Sequence, residues 1–305
     1  MKILLTGGSG MVGKNILENK AASNHIILSP NSKELNLLSY SDTCKFINLH
    51  EPDLVIHAAG KVGGIQANLK NPISFLTDNM DMGRNIVLAS KQNNVKKLIN
   101  LGTSCMYPKN ALNPLREEYI LKGELEPTNE GYALAKIMVS KLCEYINLEN
   151  NDFSYKTIIP CNLYGKYDKF SPKNSHMLPA IIRKIDNAKI NNIDTVEIWG
   201  DGLAKREFMY AGDLADFIFI AITKFEKLPQ NINVGFGVDY SINEYYKAIA
   251  KVIGFEGNFT HELSKPTGMK QKLIDSSLVK SFGWKPTTNL LEGIKKTYNY
   301  YKKNK

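Results

Sequence analysis

Lys2-Ile3-Leu4-Leu5-Thr6-Gly7-Gly8-Ser9-Gly10-Met11-Val12-Gly13-Lys14 opens the chain, and its reading decides the fold. Residues 2–6 read as a short buried strand, and a helical stretch runs on from Lys14. Between them the glycines fit G-x-x-G-x-x-G (Gly7, Gly10, Gly13) and also G-x-G-x-x-G (Gly8, Gly10, Gly13). The first bend needs φ freedom, the middle glycine lets a pyrophosphate approach the backbone, and the last lets the helix pack close to the strand. A helix N-terminus then faces the anion. A glycine motif alone is weak evidence; one lying between a strand and a helix is a dinucleotide-site signature.

Working outward, apolar strands alternate with helical patterns through the first half. Strands are expected at 25–28, 54–57, 97–101 and 157–159. Helices are expected at 73–92, introduced by Asn71-Pro72, and at 128–145. Pro at an early helical position needs no amide partner. The alternation predicts an α/β fold, a doubly wound parallel (Rossmann) sheet, with ligands at the carboxyl ends of its strands. Gly102-Thr103-Ser104 and Pro160-Cys161-Asn162 fall at such ends. After about residue 164 loops lengthen and strands become isolated (195–199, 231–234), with helices at 176–189, 241–253 and 288–303. The expected division is a dinucleotide-binding part, 1–164 and about 205–235, and a smaller discontinuous substrate part, about 165–204 and 236–305.

The 305 residues, 43% hydrophobic and 23% charged, suit a soluble globular enzyme with a substantial core. No apolar run approaches the ~18–20 residues of a membrane span, and no secretory leader is read at the start, so neither membrane insertion nor export is expected. Cys44, Cys105, Cys143 and Cys161 show no C-x-x-C spacing, which disfavours a zinc site and fits a reducing cytoplasm. The net charge of +9 comes from scattered lysines, concentrated in the last turns (Lys295, Lys296, Lys302, Lys303, Lys305). There they complement a helix C-terminus. No basic stripe interleaved with aromatics is present, so nucleic acid is not an expected partner.

Tyr132 and Lys136 stand four apart, just over one helical turn, so phenol and ammonium project from one face. Thr103-Ser104-Cys105 lies about thirty residues upstream. A nearby cation is expected to favour the phenolate, and a strand-end hydroxyl to aim the phenol at a carbonyl. Tyr-x-x-x-Lys is common by chance and gains meaning from the dinucleotide site ahead of it.

With these three features in order, the chain resembles an extended short-chain dehydrogenase/reductase. Residues 59–65 (Ala-Gly-Lys-Val-Gly-Gly-Ile), Ser104-Cys105-Met106-Tyr107-Pro108, Glu126-Pro127-Thr128-Asn129-Glu130, Asn162-Leu163-Tyr164-Gly165 and Asn174-Ser175-His176 narrow the resemblance. So do Trp199-Gly200-Asp201-Gly202, Arg206-Glu207-Phe208, Asn233-Val234-Gly235 and Ser264-Lys265-Pro266. Together they are similar to the GDP-L-fucose synthase family along nearly the whole chain. That resemblance implies a homodimer that takes GDP-4-keto-6-deoxy-mannose, epimerises C3 and C5 and reduces C4 with NADPH. It places Cys105 as base and His176 as acid, both with reference pKa values within about two units of neutrality. Tyr132 protonates the C4 oxygen, Lys136 lowers the Tyr132 pKa and holds the nicotinamide ribose, and Thr103 hydrogen-bonds the keto oxygen. NADPH contacts fall at Gly7, Gly8, Ser9, Gly10, Met11, Val12, Gly13, Lys33, Leu101, Gly102, Thr103, Ser104, Tyr132, Lys136, Pro160, Cys161, Asn162, Leu163 and His176. Lys184, Trp199, Arg206 and Asp275 fall at GDP-sugar positions. No metal is expected.

The chain departs from the family at several points. Thr103 stands where Ser is usual, which keeps the hydroxyl and restricts χ1. Ser9 stands where Arg is common. No acid follows Leu28 until Glu34, which argues for NADPH over NADH, and Lys33 is the cation available to a 2′-phosphate. The segment 265–272 lacks the usual Arg near Gln271. Two alternatives stay open: a C4 reductase of a related GDP-4-keto sugar such as a 6-deoxy-heptose, and a catalytically silent NADP-binding protein.

Overall fold

The structure is a computed structural model that describes residues 1–172, 175–265 and 268–305; Asn174, Pro266 and Thr267, quoted above, lie outside the described residues. The chain begins β1 (Lys2–Thr6), α1 (Met11–Glu18), β2 (Ile26–Leu28), α2 (Tyr40–His50), β3 (Leu54–His57), α3 (Ile65–Lys70), α4 (Pro72–Gln92) and β4 (Lys97–Leu101). Next come α5 (Glu130–Glu149), β5 (Ser154–Pro160), β6 (Asn162–Tyr164), α6 (Met177–Ile190), β7 (Thr195–Trp199), β8 (Lys205–Arg206), β9 (Phe208–Tyr210) and α7 (Ala211–Thr223). Last are β10 (Asn231–Val234), β11 (Tyr240–Ser241), α8 (Ile242–Ile253), β12 (Asn258–Glu262), β13 (Gln271–Lys272), α9 (Ser277–Ser281) and α10 (Leu290–Lys303).

Six strands form one parallel sheet in the order β10-β5-β4-β3-β1-β2. The strands read as continuous apolar runs because both faces are covered. Ile3, Leu5, Ile56 and Ile99 point into a core shared with Leu214, Phe217 and Ile218 of α7. Leu4, Val55, Leu98 and Tyr155 alternate to the other side, against Ile47 of α2, Ile86 and Val87 of α4, and Cys143 and Ile146 of α5. Strand order reverses at β1, between β2 and β3, which leaves a crevice at the carboxyl ends of β1 and β3. A separate core joins α6, α8, α10 and β7 through Leu178, Ile182, Ile198, Tyr245, Ile249 and Ile294. Residues 231–234 join the large sheet beside β5, whereas β8 and β9 pair in smaller sheets.

Four of the described helices were not read from the sequence: the short α3 and α9, and the longer α2 and α7. In α7 nearly every side is buried, so its aromatic and β-branched residues show no 3.6-residue period. In α2 only Thr43 and Ile47 are buried, too few for a stripe. Its signal was the cap: Ser39 accepts a hydrogen bond from Asp42 N at 3.2 Å. The expected helix at 128–145 starts two residues later, after a 3₁₀ turn at Pro127–Asn129, and runs to Glu149. Among the described residues no helix is long and apolar enough to cross a membrane.

Candidate active site

The turn after β1 is built for a close backbone ligand. Gly7 has φ +75°, and a Cβ there would lie 2.6 Å from Ala59 N. A Cβ at Gly13 would run into the Gly7 carbonyl, and one at Gly8 into Ser29 Oγ. Gly10 caps α1 without any side-chain hydrogen bond, leaving first-turn amides for an anion. At the end of β2, Glu34 folds back and accepts from Asn31 N at 2.8 Å, while Lys33 is exposed. The cradle thus fits a dinucleotide, and the one nearby acid is committed to the backbone.

At the carboxyl end of β4, Thr103 caps the turn Ser104–Met106, its Oγ1 accepting from Cys105 N at 3.3 Å. Thr103 also hydrogen-bonds Tyr132 of α5. Lys136, one turn on, is buried and donates to Leu101 O at 2.9 Å. The expectation that Lys136 lowers the Tyr132 pKa does not hold in this state. Burial pushes the phenol well up, the Cys105 sulfur adds to that, and only the Thr103 hydrogen bond opposes it. Burial pushes Lys136 down to about 8. The phenol is therefore a protonated donor at rest, which suits protonation of a carbonyl oxygen. His57, at the end of β3 with Nδ1 2.9 Å from Thr6 Oγ1, is held neutral, its pKa brought to about 3 by burial and by Lys136.

Cys105 is half-buried, and two side chains donate to its sulfur: Asn129 Nδ2 at 3.6 Å and Lys272 Nζ at 3.4 Å. Neither residue was given a role from the sequence. Asn129 lay inside a segment quoted for the resemblance, and Lys272 closes the 265–272 segment noted as a departure from it. His176 occupies the cap of α6, where burial, then Lys169, lowers its pKa, so a proton on it is readily given up. The 60–64 loop ties the two walls: a Cβ on Gly60 would lie 3.8 Å from Lys136 Nζ, and one on Gly64 3.0 Å from Ser175 O.

Of the sugar-nucleotide positions, Lys184 and Trp199 meet. Lys184 Nζ sits 5.3 Å from the ring centroid and donates to Glu197 O at 3.2 Å, and Lys265 lies 5.9 Å from the same ring. The indole is partly exposed, a flat platform edged by cations. Arg206 lies apart from them, within electrostatic reach of Glu126 and Cys105. Asp275 turns toward Arg116 at 3.7 Å and accepts from Ser277 N at 2.7 Å. Cys161 is buried, its thiol pushed well up by burial, as a packing residue should be. Asn162 donates to Glu207 O at 2.8 Å.

A glycine cradle at the sheet's switch point, a hydroxyl ending β4 and a Tyr-x-x-x-Lys helix beside it define a dinucleotide-dependent oxidoreductase of the short-chain dehydrogenase/reductase type. The chain belongs to the NAD dependent epimerase/dehydratase family, whose pattern matches residues 3–235. It is 58% identical to the GDP-L-colitose synthase of Yersinia pseudotuberculosis over 301 residues, covering 99% of this chain and 98% of that one. It is 49% identical to the GDP-L-fucose synthase of Azorhizobium caulinodans, covering 98% and 96%. The structure superimposes on the GDP-mannoheptose C4 reductase of Campylobacter jejuni with NADP bound at a TM-score of 0.89 and 32% identity, covering 99% of this chain and 98% of that one.

Proposed function

We propose that the chain converts GDP-4-keto-6-deoxy-mannose to GDP-L-fucose with NADPH, by epimerisation at C3 and C5 and reduction at C4. The observation that carries this is the junction of two chemistries on one turn: Thr103 serves Tyr132, and two residues on, Cys105 carries a sulfur held by two donors. A C4 reductase needs only the first.

The 4-keto group acidifies the protons at C3 and C5. The Cys105 thiolate takes one of them, the C–H electrons move onto the C4 oxygen, and His176 delivers a proton to the opposite face. The Gly7–Gly13 cradle would hold NADPH, which would supply the hydride for C4. Thr103 orients the keto oxygen and Tyr132 donates its proton there, where charge develops. Lys136 orients the ribose and restrains Tyr132. Trp199 stacks the guanine, with Lys184 and Arg206 toward the phosphates. Residues 1–164 and 205–235 carry the cofactor, the remainder the sugar nucleotide. Exposed Ile73 of α4 with Leu134, Tyr145 and Leu148 of α5 supports a homodimer through these helices, and the unpaired cysteines suit the cytoplasm.

A second reading is favoured by the identity to the GDP-L-colitose synthase. Colitose is the 3-deoxy counterpart of fucose, so its 4-keto precursor needs inversion at C5 alone. Deuterium uptake in D2O without NADPH tests both. Uptake at C3 and C5 of GDP-4-keto-6-deoxy-mannose, lost in Cys105→Ser, is the expected result. Uptake with the 3-deoxy ketone alone establishes the second reading. No uptake, with the ketone still reduced once NADPH is added, leaves a C4 reductase of the heptose kind.

A further inference from the structure

We infer that Lys272 is a positioning residue for the Cys105 base: its ammonium fixes the sulfur and supplies the countercharge for the thiolate that removes the sugar proton. This rests on the reading of Cys105 as base. Lys272 is only 6% exposed, and its Nζ is 3.4 Å from Cys105 Sγ. Among the described residues no carboxylate forms an ion pair with it. A buried ammonium needs a counter-ion or hydrogen-bond acceptor, and here the sulfur fills that place. Asn129 Nδ2 approaches the same sulfur at 3.6 Å, so donors converge from two elements. Two donors on one sulfur match a group poised to carry negative charge rather than a packing thiol.

The ammonium is delivered by a stiff segment. Lys272 of β13 pairs in register with Arg206 of β8, and Glu207 N donates to Lys272 O at 3.2 Å. On the other edge Leu273 N donates to Asn113 Oδ1 at 2.7 Å and Leu115 N to Leu273 O at 2.8 Å. The fully buried Glu207 carboxylate locks the corner, accepting from Ile274 N at 3.0 Å and Gly237 N at 2.7 Å. Cys105 sits on the turn that follows β4 of the large sheet, whereas Lys272 comes from the C-terminal third. The base is therefore complete only when that third is docked. Among the described residues, the other charged or titratable groups near the sulfur include Tyr132 of α5 and Arg206 of β8, with Glu126 beside Arg206.

In each epimerisation the sulfur gains the sugar proton, the C–H electron pair moves to the C4 oxygen, and His176 protonates the opposite face. The Cys105 thiol then releases its proton to solvent, His176 takes one from solvent, and Lys272 keeps its own throughout. The test is the rate of Cys105 alkylation by iodoacetamide against pH in the free enzyme, with Cys105→Ser as background. Lys272→Met should slow alkylation roughly tenfold at neutral pH and move the curve to higher pH. Lys272→Arg should restore most of the rate. Deuterium uptake by the GDP-4-keto sugar should fall in parallel, with NADPH affinity unchanged. Where the Met variant does not fold, Lys272→Gln reads the same curve. An unmoved curve in either folded neutral variant overturns the assignment. Because alkylation needs no sugar, that failure is distinct from a failure of the substrate reading.

Discussion

The cofactor cradle and the Cys105 pocket lie on the same sheet and are made in opposite ways. The turn from Gly7 to Gly13 is shaped by backbone, and its glycines lie within seven consecutive residues. The pocket around Cys105 is shaped by side chains: Asn129 arrives from 24 residues away and Lys272 from 167. A backbone cradle tolerates almost no added atom, whereas a side-chain pocket can lose one member and keep its fold.

The largest effect should therefore come from the cradle. Gly13→Val places side-chain carbons against the Gly7 carbonyl and Gly8 Cα, where only backbone can yield. NADPH affinity should fall about a hundredfold or more, close to 3 kcal/mol, and stability by about 1–3 kcal/mol, seen by fluorescence titration and thermal melting. Wild-type affinity in this variant would break the contrast.

In the pocket the effects should separate. Tyr132→Phe should lower the reduction rate by about 10²–10⁴ yet leave deuterium uptake intact. Cys105→Ser should abolish uptake while a substrate already inverted at C3 and C5 is still reduced. If both variants lose both activities, the two chemistries are not separable residue by residue.

What was legible in the sequence follows the same line. The strands β1, β3 and β4 were bounded correctly because both their faces are buried, and β5 was found but read too short. The cradle was legible because its glycines are contiguous. The Tyr132–Lys136 spacing gave the shared helix face but not the depth of burial, which reverses the expected effect on the phenol. Lys272 closed a segment noted as unusual, but its partner could not be read, because that is set by the pairing of β8 with β13, two-residue strands without a local signature. Glu207 stood in a quoted segment, but its link to the 274 amide is a tertiary contact.

A smaller effect concerns pH. Lys136 has a folded-state pKa of about 8, below its ordinary 10.5. Between those values the unfolded chain binds more protons, so the stability contributed at this site rises with pH across that window. Lys136→Met should therefore raise the melting temperature of the ligand-free protein at neutral pH by roughly a few degrees. The gain should shrink as pH climbs toward 10.5. A pH-independent gain would point to packing instead of charge. The smallest effect is expected at exposed Lys33, where Lys33→Ala should weaken NADPH binding no more than about fivefold, less at high salt. An unchanged NADPH-to-NADH preference would assign the 2′-phosphate contact elsewhere.

The most direct test of the account is to mix the enzyme with NADPH and GDP-4-keto-6-deoxy-mannose, follow loss of NADPH absorbance, and determine the product by NMR. GDP-L-fucose, inverted at C3 and C5 and reduced at C4, is the predicted result. Oxidation of NADPH to a product with both centres uninverted, or no oxidation at all, would contradict it.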